Sequence, residues 1–343
     1  MYSVNVPDKR FLKNRLSLRS SYKPKLSESA MQSREQIISN LRADTYTLRN
    51  NPCPTCNSSC GEVLVGEIDR YGIPVTTVLC RECGLLRTDP IMNSNAYEDF
   101  YKNYYRSLYN GSELATEDFF SDQVMRGNRL HTFLSSQIPL KDKIILEVGV
   151  GAGGILSALC QSGAIGIGCD FGESYLDYAR TKGLEVRVGD LTTFADNSAD
   201  VIVYSHVLEH ISDLKKEFIE ISRVLKSDGY LLVNVPGVYS IHRDYAGDFL
   251  QYLQNAHLFH FTKRSLRRLM NQNGFKELYA NEKVVGLYVP EKVRLPSPTI
   301  PSSSFRTVLA YLSVCSAMRP LLMIPHVAYR RIILLRRKRH AER

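Results

Sequence analysis

The sequence predicts an α/β protein built on a doubly wound, mostly parallel sheet, and three observations carry this. The apolar run Lys143-Ile144-Ile145-Leu146-Glu147-Val148 breaks into Gly149-Val150-Gly151-Ala152-Gly153-Gly154. Further β-type runs follow, each ending in polar or acidic residues. Helical stretches separate them, and such alternation favours parallel strands with ligands at their carboxyl ends.

The first strand restarts after its glycines as a helical stretch, Ile155 to Gln161. Residues without Cβ permit unusual torsions and close ligand approach there, and the next helix offers free N–H groups. Gly149, Gly151 and Gly154 also fit G-x-G-x-x-G, a spacing shared by nicotinamide and other nucleoside cofactors. A second strand, Ile165 to Cys169, ends at Asp170; a third, Glu185 to Val188, ends at Gly189-Asp190. The fourth, Asp200 to Tyr204, runs into Ser205-His206, and Gly229 to Val235 supplies the fifth before Pro236-Gly237. Helices are expected around Tyr175 to Thr181 and Leu214 to Leu225.

At these residues the chain resembles the class I S-adenosylmethionine-dependent methyltransferases of small-molecule type. Glu147-x-Gly149-x-Gly151-x-Gly153 matches their first motif, Asp170 their ribose-binding acid, and Asp190-Leu191 their adenine contact. Ser205-His206-Val207-Leu208-Glu209-His210 matches the segment after their fourth strand. The resemblance covers residues 130 to 290 and implies a Rossmann-like seven-stranded sheet, closed by an antiparallel pair at Phe275 to Tyr279 and Val284 to Tyr288. It implies S-adenosyl-L-methionine as cofactor, with Glu147 near its methionine part and Ser205 among the lining residues. Two carboxylate oxygens suit Asp170 to both ribose hydroxyls, and Asp190 to an amino group. Taken singly, either acid would equally serve a turn or a helix cap.

Upstream, Cys53-Pro54-Thr55-Cys56 and Cys80-Arg81-Glu82-Cys83 lie a hairpin's length apart, with strands expected at Glu62 to Val65 and Val75 to Leu79. Two such knuckles can place four thiolates around a structural Zn2+, closed to water. Cys60 is a spare that can compete with Cys56; a disulfide pair or free thiols are the other readings. Cys160, Cys169 and Cys315 stand singly at apolar positions. The ribbon leads to Tyr97, Phe100, Tyr101, Tyr104 and Tyr105, an aromatic cluster suited either to a substrate lid, with Tyr104 as substrate contact, or to packing the ribbon on the sheet. Ribbon and aromatics together resemble bacterial methyltransferases with an N-terminal zinc-binding segment, found in sugar, cell-surface glycan and secondary-metabolite pathways. Sugar C-methyltransferases with such a ribbon carry a large extra C-terminal domain absent from this sequence, which weighs against C-methylation.

Methyl transfer from a sulfonium needs in-line positioning, for which effective molarities are worth ~7–11 kcal/mol, and no nucleophilic side chain. A hydroxyl acceptor needs a base, and His is matched to neutral pH. His210 and His206 are the candidates, with Glu209 as partner: on a helix starting near His206, Glu209 and His210 share a face, and Glu209 would raise a neighbouring His pKa. Equally, His210 can cap or pack against the cofactor loop. His257-Leu258-Phe259-His260-Phe261-Thr262 precedes a helix from Lys263 to Asn273, with Thr262 as N-cap, and resembles a family segment lying over the active site. With Tyr239 and His242, His257 and His260 make the candidate acceptor pocket.

With 343 residues, 44% hydrophobic and 23% charged, the chain is ordinary for a globular protein with a sizeable core. Its net charge of +9 is uneven: residues 1–50 hold 10 basic and 4 acidic residues and residues 319–343 hold 8 and 1, leaving 51–318 at −4. That balance weighs against a nucleic-acid partner, whose methyltransferases line the catalytic face with cations. Six segments follow: 1–50, basic and partly mobile, with a helix from Met31 to Leu48; 51–90, the zinc ribbon; 91–129, the aromatic helical connector; 130–290, the cofactor domain; 291–304, a Pro/Ser linker; and 305–343, an apolar-basic helical tail. No apolar signal core precedes them, so a cytoplasmic location is expected. The tail is interrupted at Arg319-Pro320 and Pro325 and closes on Arg336-Arg337-Lys338-Arg339. Too broken to span a bilayer, it suits a peripheral anchor on an anionic inner membrane, with packing on the domain or a dimer contact as the competing account. The expected function is O-methylation of a sugar, surface-glycan or lipid-linked acceptor; an RNA or protein methyltransferase, or a catalytically silent cofactor-binding module, is the alternative.

Overall fold

The computed structural model describes residues 25–57, 62–291 and 304–319. Cys60, the first 24 residues, most of the expected linker and the tail from residue 320, including Arg336 to Arg339, lie outside the described residues.

Thirteen strands order the described chain: β1 Leu48–Arg49, β2 Val63–Ile68, β3 Pro74–Leu79, β4 Leu86–Thr88, β5 Ile91–Met92, β6 Ile144–Val148, β7 Ile165–Asp170, β8 Glu185–Val188, β9 Ala199–Ser205, β10 Leu225–Asn234, β11 Phe259–His260, β12 Phe275–Ala280 and β13 Val285–Pro290. Seven form the central sheet in the order β12-β13-β10-β9-β6-β7-β8. β6 to β10 pair in parallel, while β13 runs antiparallel between β10 and β12. The seven strands and their closing antiparallel pair stand where the sequence predicts them.

All seven residues of β9 are buried, as a central parallel strand covered on both faces requires. Side chains alternate between the two faces. Leu146, Val148, Ile202, Tyr204, Leu231 and Val233 join one core; Ile145, Val201, Val203 and Leu232 join the other. The helix Leu214–Val224 covers the first face through Phe218 and Ile221, and the helix Lys263–Gln272 through Leu266, Leu269 and Met270. The second face is covered by Leu130 and Leu134 of the helix Glu117–Gln137 and by Leu176 and Ala179 of the helix Glu173–Thr181.

Local chemistry sets several boundaries. Thr262 caps its helix as expected, accepting from the Ser265 N–H at 3.1 Å, while the Ser265 hydroxyl accepts from the Thr262 N–H at 2.9 Å. The N-terminal helix is Glu28–Arg42, capped by Ser27, and it ends well before Leu48. Asp44 takes a left-handed φ of 54°, and Leu48 pairs instead with Met92 in the β1–β5 ladder.

The ribbon and the cofactor domain are not separate bodies. β2, β3 and β4 are extended by β11 into one four-stranded sheet, with Phe259 opposite Arg87 and His260 opposite Leu86. The 129/130 boundary falls inside the unbroken helix Glu117–Gln137. The first part of the tail, 304–319, is helical and sets Val308 and Leu312 in a core shared with Val63 and Leu79 of the ribbon and Ile241 and Phe249 beyond β10. Val308 and Leu312 of this helix are thus packed, while Val314 and Met318 stay exposed. Among the described residues, no helix is long and apolar enough to cross a membrane.

Candidate active site

The glycine loop after β6 carries φ values of 68°, 57° and 87° at Gly149, Gly151 and Gly153. At Gly149 a Cβ would lie 2.4 Å from Cγ2 of Val207, so the loop needs glycine to let the His206–His210 segment approach. Gln123 of the helix Glu117–Gln137 holds the loop from the other side. Its amide donates to the Val150 carbonyl at 3.2 Å, and its Oε1 accepts from the Gly154 N–H at 3.2 Å.

Of the candidate cofactor residues, Glu147 lies in the strand that enters this loop and Asp170 bonds it directly. Glu147 is 1% exposed with Oε2 unpartnered, and burial pushes its carboxyl well above the usual range. Asp170 Oδ1 accepts from the Gly172 N–H at 2.7 Å and Oδ2 from the Gly151 N–H at 2.9 Å. Both oxygens also accept from Arg106, at 3.0 and 3.1 Å. Asp190 caps the short turn Leu191–Thr193, accepting from the Thr192 N–H at 2.9 Å, while Leu191 is buried core. Ser205 ends β9 and accepts from Asn234 at 3.2 Å. A cleft of about 210 Å³ runs from Asp190 and Leu191 to Tyr101 and His210.

The segment after β9 corrects one expectation. His206 does not start a helix: its φ is 58°, and only the single turn Leu208–His210 follows. The residues still converge, through the loop. Glu209 Oε1 lies 3.6 Å from His206 Nδ1, 4.0 Å from His210 Nε2 and 4.0 Å from His257 Nε2. The expected rise in His pKa is also reversed. Burial lowers His210 against the opposing pull of Glu209, lowers His257 well below the usual range and takes His260 to about 3. Desolvation of a cation outweighs one neighbouring carboxylate, so the buried imidazoles are neutral at pH 7.

The acceptor candidates divide. His257 and His260 lie in the buried group, their rings 6.0 Å apart. Tyr239 and His242 belong to a different contact: the Tyr311 ring of the 304–319 helix sits 4.9 Å from Tyr239, and its hydroxyl 3.0 Å from His242 Nδ1. Tyr104 stands just before the helix Tyr105–Asn110 with no capping bond from its side chain, and Tyr101, one turn earlier, is the one that reaches the site, with its hydroxyl 3.1 Å from His210 Nδ1. A ladder of rings, Tyr71, Tyr109, Tyr105 and Tyr101, leads from the ribbon's turn to His210 in steps of 5.4, 5.0 and 5.0 Å. The same cluster thus touches both the ribbon's turn, at Tyr71, and His210. Tyr97, Tyr101 and Tyr105 recur at spacing four, a signal the sequence carries for the inward face. Arg106 and Gln123 carry no comparable motif.

The four ribbon cysteines gather with sulfurs 3.4 Å apart between Cys53 and Cys83, 3.5 Å between Cys56 and Cys80 and 3.9 Å between Cys56 and Cys83. A tetrahedral ion with bonds of about 2.3 Å needs S–S separations of about 3.8 Å, so the set fits one.

Residues 146–233 match the family model of a methyltransferase domain. The match supports a class I S-adenosylmethionine-dependent methyltransferase. Over 151 residues the chain is 30% identical to a demethylmenaquinone methyltransferase of Corynebacterium glutamicum, covering 43% of this chain and 61% of that protein, less than two thirds of its length. Over 165 residues it is 25% identical to a ubiquinone biosynthesis O-methyltransferase of Coxiella burnetii, covering 41% of this chain and 70% of that one. A crystal structure of an S-adenosylmethionine-dependent methyltransferase from Methanococcus maripaludis superposes with a TM-score of 0.41 at 15% identity, covering 54% of this chain and 99% of that one.

Proposed function

We propose that this protein is an S-adenosylmethionine-dependent O-methyltransferase acting on a hydroxyl of a small acceptor. The single observation that carries the reading is the convergence of the glycine loop, Glu147 and Asp170 beside the Glu209, His210 and His257 group. Within the loop the unpartnered Glu147 oxygen and the Asp170 carboxylate offer acceptors for the cofactor's ammonium and ribose hydroxyls. Phe171, 71% exposed beside Asp170, offers a face to a purine. Arg106 occupies the Asp170 oxygens and has to withdraw for the ribose to take them. The cofactor supplies a methyl on a cationic sulfur, and the chain's residues orient the acceptor and take its proton. His210, neutral and tied through Nδ1 to Tyr101, is the residue placed to act as base, with His206 at the exposed edge.

The acceptor is inferred to be a sugar, glycan or lipid-linked alcohol. A quinone precursor is the second reading, favoured by the names of the two relatives and by the rings of Tyr97 and Tyr101 that line the cleft. Zn2+ in the four-cysteine site is part of the proposal: a site closed by four thiolates is structural, and it holds the ribbon that carries β4 against β11. Calorimetry with S-adenosylmethionine, followed by methylation assays on the two acceptor classes, tests the reading. Absence of cofactor binding by the zinc-loaded chain overturns it.

A further inference from the structure

We propose that Glu209, His210 and His257 form a second metal site, binding a divalent transition-metal ion with a position left open to the acceptor oxygen. The site is distinct from the four cysteines. Its first support is geometric: one oxygen of Glu209 and one ring nitrogen from each histidine lie within 4.8 Å of one another, and the two measured nitrogen–oxygen separations are 4.0 Å. A tetrahedral ion with ligand bonds of about 2.1 Å asks for separations of about 3.4 Å. Small side-chain rotations close that gap.

The second support is the state of the carboxylate. Glu209 is 1% exposed and neither of its oxygens accepts a hydrogen bond. The cationic or imidazole nitrogens within 4 Å of it, among the described residues, belong to histidines. A buried carboxylate without a donor is strongly disfavoured, and a bound cation removes that cost. Two imidazoles and one carboxylate form a donor set that suits zinc or ferrous iron and leaves coordination positions free.

The surroundings hold the ligands as such a site requires. His210 keeps its other nitrogen on the Tyr101 hydroxyl at 3.1 Å, an outer contact that fixes the ring's orientation. The Leu258 N–H donates to the Glu209 carbonyl at 2.8 Å, and the His257 carbonyl accepts from the Thr88 hydroxyl at 3.0 Å, so both ligand-bearing segments are pinned to the ribbon sheet. The chemical purpose of the ion rests on the O-methyltransferase reading. With both ring nitrogens of His210 then engaged, by the ion and by Tyr101, the role of base assigned to it above passes to His206 at the exposed edge. An acceptor hydroxyl bound at the open position would become more acidic and give its proton to His206, the oxygen lone pair forming the O–CH3 bond as the S–CH3 bond breaks and leaves the neutral thioether.

The test is metal counting on the full chain. Wild type loaded with Co2+ should take about two ions per chain, one with intense thiolate charge-transfer absorption and one with only weak visible bands from nitrogen and oxygen ligands. Glu209→Gln and His257→Asn should each lose the second ion alone and keep the thiolate spectrum. A single ion in wild type, with a thiolate spectrum only, overturns the proposal, and so does an unchanged ion count in both variants. The wild-type titration needs no variant to fold. Cofactor calorimetry on the same samples is read separately: its failure in wild type sinks the methyltransferase reading and leaves the ion count standing.

Discussion

The Leu258 N–H donates to the Glu209 carbonyl at 2.8 Å, and through this bond the segment following β9 is tied to the strand that completes the ribbon's sheet. Thr88 sits on the far side of the same strand, its N–H on the Leu258 carbonyl at 2.9 Å and its hydroxyl on the His257 carbonyl at 3.0 Å. The ribbon is therefore a wall of the candidate site, and its integrity sets where His257 stands.

Thr88→Val should separate binding from turnover. The substitution keeps shape and backbone pairing but leaves the buried His257 carbonyl without its donor, at a cost of about 1–3 kcal/mol. Urea unfolding should show that loss. Cofactor affinity by calorimetry should stay within about twofold, under 0.5 kcal/mol, while methyl transfer falls further. Equal losses in affinity and turnover would show that the strand does not position His257.

Arg106 competes with the ribose for Asp170. Its guanidinium lies 4.1 Å from the Tyr175 ring as well as on both carboxylate oxygens, so its release exposes the acid without unfolding the helix Tyr105–Asn110. Arg106→Gln should tighten cofactor binding several-fold, about 1 kcal/mol, and Asp170→Asn should weaken it at least tenfold, about 1.4 kcal/mol. Weaker binding in Arg106→Gln would mean that the arginine contacts the cofactor itself.

The central sheet was legible because its signals are local: apolar runs of strand length, glycines at the first turn, and acids at strand ends. The four cysteines were legible for the same reason, since spacing alone brings a knuckle together. What could not be read was the joining of distant pieces. Nothing in Phe259-His260 announces that it pairs with Leu86-Arg87, because two residues carry no periodicity. Tyr239 and His242 looked like pocket residues from their place after β10, yet Tyr311, some seventy positions on, claims them. The direction of the His210 shift was misjudged because Glu209 is visible in the sequence and burial is not.

If the four cysteines hold zinc as proposed, removing it should loosen more than the ribbon. Arg268 and Gln272 of the helix Lys263–Gln272 both donate to the Thr55 carbonyl, at 3.2 and 2.7 Å, inside the first knuckle. Chelation, or Cys83→Ser, should cost more than about 3 kcal/mol, since apparent zinc-binding energies in small fingers reach ~10–16 kcal/mol. Hydrogen exchange should show β4 and β11 losing protection together. Protection retained at β11 would separate the two.

Glu147 gives the apo chain a pH dependence of known sign. Burial raises its carboxyl well above the usual range, so the folded chain keeps a proton that the unfolded chain releases near pH ~4.3. The stability this proton contributes is complete below that pH and falls as pH rises toward the folded-state value. Glu147→Gln removes the titration, so its melting curve should lack this decline and the variant should gain on wild type as pH rises from 5 to 8. Parallel melting curves across that window would show the carboxyl to be solvated.

The contact between Gly149 and Val207 couples the cofactor loop to the His206–His210 segment. Gly149→Ala adds a Cβ 2.4 Å from Val207 Cγ2 and also forces a side chain to a φ of 68°, which for a non-glycine residue costs about 1–2 kcal/mol by itself. Val207→Ala removes the obstructing methyl but not the backbone strain. The double variant should therefore be more stable than the sum of the single losses predicts, by a coupling of about 0.5–3 kcal/mol in urea unfolding. It should remain below wild type by the strain that persists. Additive losses would show that the loop and the histidine segment move independently, and a cofactor bound to one would then not order the other.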